Sequence, residues 1–298
     1  TRAQSDEAEW GLGGGRSAVM TTIAVTGATG HIGGTTARLL SGAGVPLRLL
    51  VRDPARAPSL PGAEVVRCSY GDEHSVDALR GVDVLLMVSA AESADRVAEH
   101  RAFVEAASAA GVRHLVYTSF AGASDASGFL LGRDHAATED IIRAAGGTHT
   151  FLRDNFYAEV FPHFADAEGV IRGPAGSGRV AAVSRRDVGE VAAAVLGDPE
   201  SHAGKTYVLT GPEALSLDAI AATLTEVTGR AHRYLDETMA EARASRSGYG
   251  APEWLVDAWI STYTAIRDGE LEAVSDDVPR LLGRPATAFA DAVRARAH

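Results

Sequence analysis

Cysteine is nearly absent from this sequence: Cys68 is the single one among 298 residues. One cysteine excludes an intrachain disulfide and a cysteine-based metal site, and we predict no metal site in this chain. The residues before Cys68 are typical of a β-strand. Because free cysteines are usually buried, this context favours a small core residue over a reactive thiol.

Two further absences narrow the class of protein. No hydrophobic run reaches the roughly 18 residues that a membrane-spanning helix needs, and nothing near the N-terminus resembles a secretory signal. Lysine and arginine do not cluster, and the formal net charge is -11, which argues against binding to nucleic-acid phosphates. We therefore expect a cytoplasmic protein that uses neither a membrane nor a nucleic acid as its partner.

Short β-branched runs alternate with helical segments rich in alanine and leucine through the first half of the chain. Strands are predicted at 22–25, 47–51, 64–68, 82–89, 114–119 and 150–153, and helices at 31–41, 75–79, 94–110 and 134–145. This order predicts an α/β Rossmann fold, with a doubly wound parallel sheet and right-handed crossovers. Ligands of such sheets bind beyond the carboxyl ends of the strands.

The sequence divides into three predicted parts. Residues 1–19 are polar and partly glycine-rich, and we interpret them as an N-terminal extension that could be flexible. Residues 20–155 form the predicted NAD(P)-binding domain, and residues 156–298 form mainly a smaller C-terminal substrate lobe. The chain is expected to return to the sheet near 180–210, where Asp187 and Glu190 have the spacing of a capping box before a helix at 191–196.

Three glycines lie between the first predicted strand and the first predicted helix: Gly27, Gly30 and Gly33. In this context the first permits a tight turn, the second lets the backbone approach a pyrophosphate, and the third lets the helix pack closely on the strand. The free amides and the positive dipole end of the helix would then face the phosphates. The spacing predicts dinucleotide binding; the alternative is a turn whose glycines serve packing alone.

The end of the second predicted strand indicates which dinucleotide binds. An acidic residue there would hold a ribose diol, whereas an arginine suits the 2′-phosphate of NADP. This strand ends in Arg52, whose guanidinium can form a charge-assisted fork with a phosphate. Asp53 follows directly, and it could pair with Arg52 or cap the next turn. The sequence favours NADP(H) over NAD(H).

Several segments together resemble the NmrA-like atypical short-chain dehydrogenases, and within them the branch of NAD(P)H-dependent quinone reductases. The matching segments are 20–33, 51–54, 114–119, His135 with Thr138 and Glu139, 152–157, 184–188, 207–212, 274–278 and 283–285. Each motif is modest alone, but their order along the chain is fairly specific. The resemblance runs from Met20 to near the C-terminus.

The resemblance implies roles for matching positions. Residues that would line the pyrophosphate are Gly27, Thr29, Gly30, His31 and Ile32. Arg52 would lie at the adenosine phosphate, Ser89 and Ala90 would flank the cofactor ribose, and Asp72 would lie near the adenine. For Asp72 a role in a turn, or in capping the helix that follows, is the alternative.

The catalytic apparatus of ordinary short-chain dehydrogenases is incomplete here. Those enzymes use Ser, Tyr and Lys, and the Lys lowers the pKa of the Tyr that exchanges the carbonyl proton. Ser119 or Thr118 fits the place of the Ser, but Leu131 and His135 stand where the Tyr and the Lys would be. His135 could hold the nicotinamide ribose or donate a proton, or it could be a surface or helix-capping histidine.

Asn155 and Tyr157 follow the sixth predicted strand, where they would orient the nicotinamide and the substrate. The leading hypothesis is an NADPH-dependent oxidoreductase that transfers hydride to a quinone-like or carbonyl-containing small molecule, assisted by His135 or Ser119. A non-catalytic NADP(H)-binding redox sensor and a cofactor-assisted isomerase or epimerase are the alternatives. We expect an aromatic or quinone-like substrate as the partner of a monomer or homodimer.

Overall fold

The computed structural model describes residues 21–296, so the predicted extension at 1–19 lies outside the described residues. The strands are β1 Ile23–Thr26, β2 Leu47–Val51, β3 Ala63–Arg67, β4 Val84–Met87, β5 His114–Phe120, β6 Thr148–Asp154, β7 Val170–Gly173, β8 Arg179–Val180, β9 Thr206–Leu209, β10 Leu215–Ser216 and β11 Arg233–Asp236. The α-helices are α1 His31–Gly42, α2 Ser75–Leu79, α3 Arg96–Ala109, α4 Leu130–Ala144, α5 Arg185–Gly197, α6 Leu217–Thr228, α7 Met239–Arg246, α8 Glu253–Arg267, α9 Asp277–Leu282 and α10 Phe289–Arg296.

Seven strands form one parallel sheet in the order β3-β2-β1-β4-β5-β6-β9. The predicted doubly wound Rossmann sheet is confirmed. The strand order reverses between β1 and β4, and this is where an open α/β sheet forms a crevice for its ligand.

A layer of helices covers each face of the sheet and buries its central strands β1, β4 and β5. On one face α1 and α5 pack over side chains such as Val25, Leu49 and Leu86. On the other, α2, α3 and α4 pack in succession over side chains such as Leu85 and Tyr117. All four residues of β4 are buried, which is what the unbroken apolar run at 82–89 predicts for a strand covered on both sides.

Beyond residue 155 the chain builds a smaller core and also returns to the sheet. Two two-stranded sheets, β8 with β10 and β7 with β11, accompany helices that bury Phe161, Leu224 and Ile266. Helix α5 and strand β9 belong to the main sheet layers, in agreement with the return expected near 180–210. The boundary between 155 and 156 stays a prediction. Among residues 21–296, no helix is both long and apolar enough to cross a membrane.

Two predicted helix starts are wrong. Helix α4 begins at Leu130 rather than 134, and α5 begins at Arg185 rather than 191. The cap of α5 is Ser184, whose hydroxyl accepts from the amide of Arg186. Asp187 is instead fully buried inside the helix and is contacted by the C-terminal segment through Arg284 and Thr287. The capping-box prediction fails because Asp187 anchors a distant segment that the local pattern does not reveal.

Candidate functional site

A cleft of about 430 Å³ opens at the carboxyl edge of the sheet, across the point where the strand order reverses. Its walls are formed by residues at or just after the carboxyl ends of β1, β2, β3 and β4. Five of the nine predicted cofactor residues line it: Gly27, Thr29, Arg52, Ser89 and Ala90. Of the others, Gly30 and His31 are exposed at the start of α1, whereas the side chain of Ile32 is buried in the core, which leaves only its backbone for a ligand.

The glycine turn has the geometry that a phosphate-binding turn requires. Gly27 has a φ of 63°, a conformation that favours glycine. A Cβ on Gly33 would lie 2.5 Å from the carbonyl oxygen of Thr26 and 2.6 Å from that of Gly27, so the third glycine lets α1 start directly against β1. The N-cap of α1, Gly30, offers no side-chain cap, and the first turn carries no acidic residue. Its free amides therefore suit an anion.

Arg52 lies at one end of the cleft as an exposed cation. Its guanidinium has no hydrogen-bond or ion-pair partner among residues 21–296. The neighbouring Asp53 does not pair with it, because the Asp53 carboxylate accepts from the amide of Ala55 and caps the short 3-10 turn Pro54–Arg56. The ambiguity left by the sequence is thereby resolved, and the charge of Arg52 is available for a phosphate.

Tyr70 is a cleft residue that sequence reasoning missed. Its hydroxyl donates to the carbonyl oxygen of Val88 at 2.6 Å and lies 2.7 Å from the hydroxyl of Thr26, which accepts from the amide of Val88. These three hydrogen bonds join the ends of β1 and β4 to the segment after β3. Tyr70 follows β3 at the same edge as the glycine turn, and that position is the signal that could have identified it.

Asp72 does not line the cleft. Its carboxylate accepts from the amide of His74, and its carbonyl oxygen accepts from the amide of Ser75, the first residue of α2. The structure thus places Asp72 in a turn before α2. Its predicted contact with adenine stays a prediction.

Buried side chains form hydrogen bonds with the backbone of the loop that contains Ser89 and Ala90. The amide of Ser89 donates to Oγ1 of Thr118, and the amide of Ala90 donates to Nε2 of His100. Burial, aided by Arg96, lowers the pKa of His100 to about 3, so its ring is neutral and Nδ1–H faces Oγ1 of Thr138 at 2.9 Å. A neutral histidine therefore fixes the backbone at the predicted ribose site.

His135 is buried in the second turn of α4, so it is neither a surface nor a helix-capping residue. Its Nε2 accepts from Nη2 of Arg96 at 3.1 Å, and its Nδ1 lies 3.0 Å from the hydroxyl of Tyr117. Burial lowers the pKa of His135 well below its usual range, and the charge of Arg96 lowers it further. The ring is therefore neutral at pH 7 and holds a guanidinium.

Ser119 belongs to a buried ion-pair network and does not line the cleft. Its hydroxyl donates to Glu139 at 2.6 Å, and Glu139 also accepts two hydrogen bonds from Arg153. Successive residues of a strand face opposite sides of the sheet, so Thr118 is the residue that contacts Ser89. Of the two candidates that the sequence left open after β5, the structure brings Thr118 to the cleft loop.

Asn155 and Tyr157 lie beside the end of β6 with their polar atoms engaged. The amide group of Asn155 donates to the carbonyl oxygen of Leu271, and its oxygen accepts from the amide of Phe156. The hydroxyl of Tyr157 donates to Oδ2 of Asp154 at 2.9 Å. Asn155 thus ties the sheet edge to the second lobe, and Tyr157 covers a buried carboxyl group.

Asp154 carries an orphaned oxygen: Oδ1 is buried without a hydrogen-bond partner among the described residues. Burial raises the pKa of Asp154 well above its usual range, although the hydrogen bond from Tyr157 opposes the shift. The folded state therefore binds a proton here more tightly than the unfolded chain does. This group contributes its full stabilisation at a pH below its pKa in the unfolded chain, and the contribution is lost as the pH rises through its pKa in the folded protein.

The variant Asp154→Asn removes this titration and keeps an acceptor for Tyr157. We expect its free energy of unfolding, relative to that of the wild type, to increase as the pH rises from about 5 to about 8. Urea denaturation at several pH values measures the difference. Asp140→Asn, at an exposed carboxylate of α4, is the matched control and should give a flat difference; a flat difference for Asp154→Asn would refute the raised pKa of Asp154.

The family model of the NmrA-like family matches residues 20–242 of this chain. Quinone oxidoreductase 2 of Escherichia coli is 35% identical over 280 residues, which cover 91% of this chain and 97% of that protein. An NAD(P)H azoreductase of Xenophilus azovorans is 35% identical over 282 residues, which cover 92% and 98% of the two chains.

A crystal structure of NADPH-dependent quinone oxidoreductase from Escherichia coli in complex with NADPH has a similar fold. It superimposes with a TM-score of 0.83 at 34% sequence identity, over 93% of this chain and 100% of that one. The similarity thus extends across both the sheet and the second lobe.

Proposed function

The chain belongs to the NmrA-like family, and on that premise we propose that it is an NADPH-dependent oxidoreductase that transfers hydride to quinone-like or carbonyl-containing small molecules. One observation carries the cofactor assignment: the glycine turn and the unpaired guanidinium of Arg52 line the same cleft. Relatives at 35% identity include a quinone oxidoreductase and an azoreductase, whose names support a reductase of flat, electron-poor molecules.

The residues present fit NADPH. The amides at the start of α1 would hold the pyrophosphate, Arg52 the 2′-phosphate, and the loop of Ser89 and Ala90 a ribose. When bound, the cofactor supplies the hydride. The chain positions the cofactor. The hydrogen bonds of Tyr70 fix the wall of the cleft, and His100 and Thr118 fix the backbone amides of Ala90 and Ser89.

The two predicted proton donors, His135 and Ser119, are both engaged by buried partners. The ring of His135 is neutral and accepts a hydrogen bond from Arg96, and the hydroxyl of Ser119 donates a hydrogen bond to Glu139. We propose that both act on the site through these partners. The aromatic rings of Phe120, Phe129 and Phe156 lie within 5.2 Å of one another beside this region, and would form an apolar flank for a planar substrate.

Oxidation of NADPH with a panel of quinones tests this function. We expect steady turnover with stoichiometric hydroquinone formation, and no oxidation when the quinone is omitted. Tight NADPH binding without turnover would contradict an enzyme and support a redox sensor, whereas product formation without net NADPH consumption would indicate an isomerase. Light scattering of the same sample tests the predicted monomer or homodimer.

A further inference from the structure

Arg96 is a buried cation whose hydrogen-bonding capacity is incompletely used. The residue is 5% exposed, and its Nε lies buried with no hydrogen-bond partner among the described residues. Its Nη2 donates to His135, while Nη1 lies 3.9 Å from the carboxylate of Asp134, beyond hydrogen-bond distance. Burying a cation is costly unless acceptors surround it, so the unpartnered Nε–H indicates a ligand that supplies one.

A second unpartnered polar atom lies close by in the sequence. Ser93 lines the cleft, and its hydroxyl is buried without a partner among residues 21–296. The carbonyl oxygen of Ser93 accepts from the amide of Arg96, so the two residues share one turn at the start of α3. Two donors without acceptors therefore occupy the loop that leads from β4 into α3.

Ser93 is the member of this pair that lines the cleft, and it follows β4, on the side of β1 opposite to Arg52. Arg52 follows β2, on one side of β1, whereas Arg96 begins α3, after β4 on the other side, and contacts His135 of α4. Burial raises the pKa of Tyr157 well above its usual range and Asp154 raises it further, while the charges of Arg185 and Arg96 oppose this rise. The positive charge of Arg96 therefore acts in the same sense as that of Arg185 on the hydroxyl of Tyr157, which follows β6.

His135 orients the guanidinium. Because Nη2 of Arg96 is a donor, Nε2 of His135 must accept, which leaves the ring proton on Nδ1, facing the hydroxyl of Tyr117. Tyr117 is fully buried in β5. The rigid sheet therefore holds Arg96 through two hydrogen bonds, and His135 is a positioning residue.

We propose that Arg96, together with the Ser93 hydroxyl, binds the substrate oxygen on which negative charge develops during reduction. This inference rests on the proposed reductase function, and it names the substrate class as quinones and conjugated carbonyls. The hydride from NADPH forms a new C–H bond with the substrate, the π electron pair of the conjugated carbonyl moves onto its oxygen, and a proton from water completes the reduced product, which leaves NADP⁺. Arg96 stabilises the oxyanion by hydrogen bonding, and water delivers the proton that the absent Tyr/Lys pair would otherwise supply.

Binding of para-nitrophenol to the NADP⁺-loaded protein tests the site without turnover, because the phenolate absorbs in the visible range. We expect the wild type to bind the phenolate and to lower the apparent pKa of the bound phenol. Arg96→Met should weaken phenolate binding at least about tenfold, and Ser93→Ala more modestly, both with unchanged NADP⁺ affinity. Arg101→Met, at an exposed arginine of the same helix, is the matched control and should match the wild type.

Turnover provides the second readout. With a quinone substrate, Arg96→Met should lower kcat about 100-fold and leave the KM for NADPH unchanged. If Arg96→Met does not fold, as judged by circular dichroism, Arg96→Lys replaces it, and we expect at least a fivefold loss of phenolate affinity, because a single ammonium lacks the planar fork.

Phenolate binding equal to that of the wild type in the Arg96 variants would overturn the proposal. So would a loss confined to NADP⁺ binding, which would assign Arg96 to the cofactor. Phenolate binding that depends on Arg96 in a wild-type protein that reduces no quinone would instead refute the reductase function and keep the anion site.

Discussion

Replacing Gly33 by alanine is expected to abolish effective NADPH binding. The new Cβ would lie 2.5 Å from the carbonyl oxygen of Thr26 and 2.6 Å from that of Gly27, and both atoms belong to backbone that cannot rotate away. Helix α1 would have to shift by about 1 Å or the turn would have to open, at a cost of about 1–3 kcal/mol in folding free energy. The same shift moves the amides that would face the pyrophosphate.

We expect the affinity for NADPH to fall about 100-fold, which corresponds to about 3 kcal/mol. Fluorescence titration with NADPH measures the affinity, and urea denaturation measures stability separately. Gly42→Ala is the matched control: it lies in the same helix, and a Cβ there would meet nothing within 4 Å. This control should bind NADPH normally and be equally or slightly more stable, since alanine favours the helix. Normal binding by Gly33→Ala would refute the turn as the phosphate site.

The parts of the fold that could be predicted from the sequence are those set by local pattern. The apolar run at 82–89 predicts a doubly covered strand, and the glycine spacing predicts where α1 must approach β1; both are present. The cofactor end of the cleft follows from these two features, because a parallel sheet brings the residues after each strand to one edge.

The end of the cleft away from Arg52 could not be predicted, because the sequence does not show which residues of β5 face the cleft loop or where α4 begins. β5 is buried on both faces, so no polar alternation indicates that Thr118 rather than Ser119 faces the loop of Ser89. A start of α4 at 134 places His135 in an exposed first turn, whereas the actual start at Leu130 places it one turn deeper, against Tyr117.

The buried partners could not be predicted either, since they are distant in sequence. Arg96 and His135 are 39 residues apart, and each alone resembles an ordinary helical surface residue. Only the packing of α3 against α4 shows that the arginine is buried and incompletely paired. The chemistry proposed for this end therefore comes from the structure, and the cofactor chemistry from the sequence.

Replacing Arg52 by alanine is expected to change the choice of cofactor rather than the fold. The side chain is exposed and makes no hydrogen bond or ion pair within residues 21–296, so its loss should leave the free energy of unfolding nearly unchanged. A charge-assisted fork to the 2′-phosphate contributes about 1.5–3 kcal/mol, which predicts an affinity for NADPH about 10- to 100-fold lower. NADH lacks that phosphate, so its affinity should stay within about twofold.

The control for this prediction is Arg56→Ala, which removes the same charge four residues away at a position that does not line the cleft. Titrations with both cofactors at two ionic strengths separate a direct contact from general attraction, because a general effect is screened by salt and should appear in both variants. Selective loss of NADPH affinity in Arg52→Ala alone confirms a direct contact with the 2′-phosphate. Equal losses for NADPH and NADH would show that Arg52 serves the shared part of the two cofactors, and the preference for NADP(H) would then need another residue.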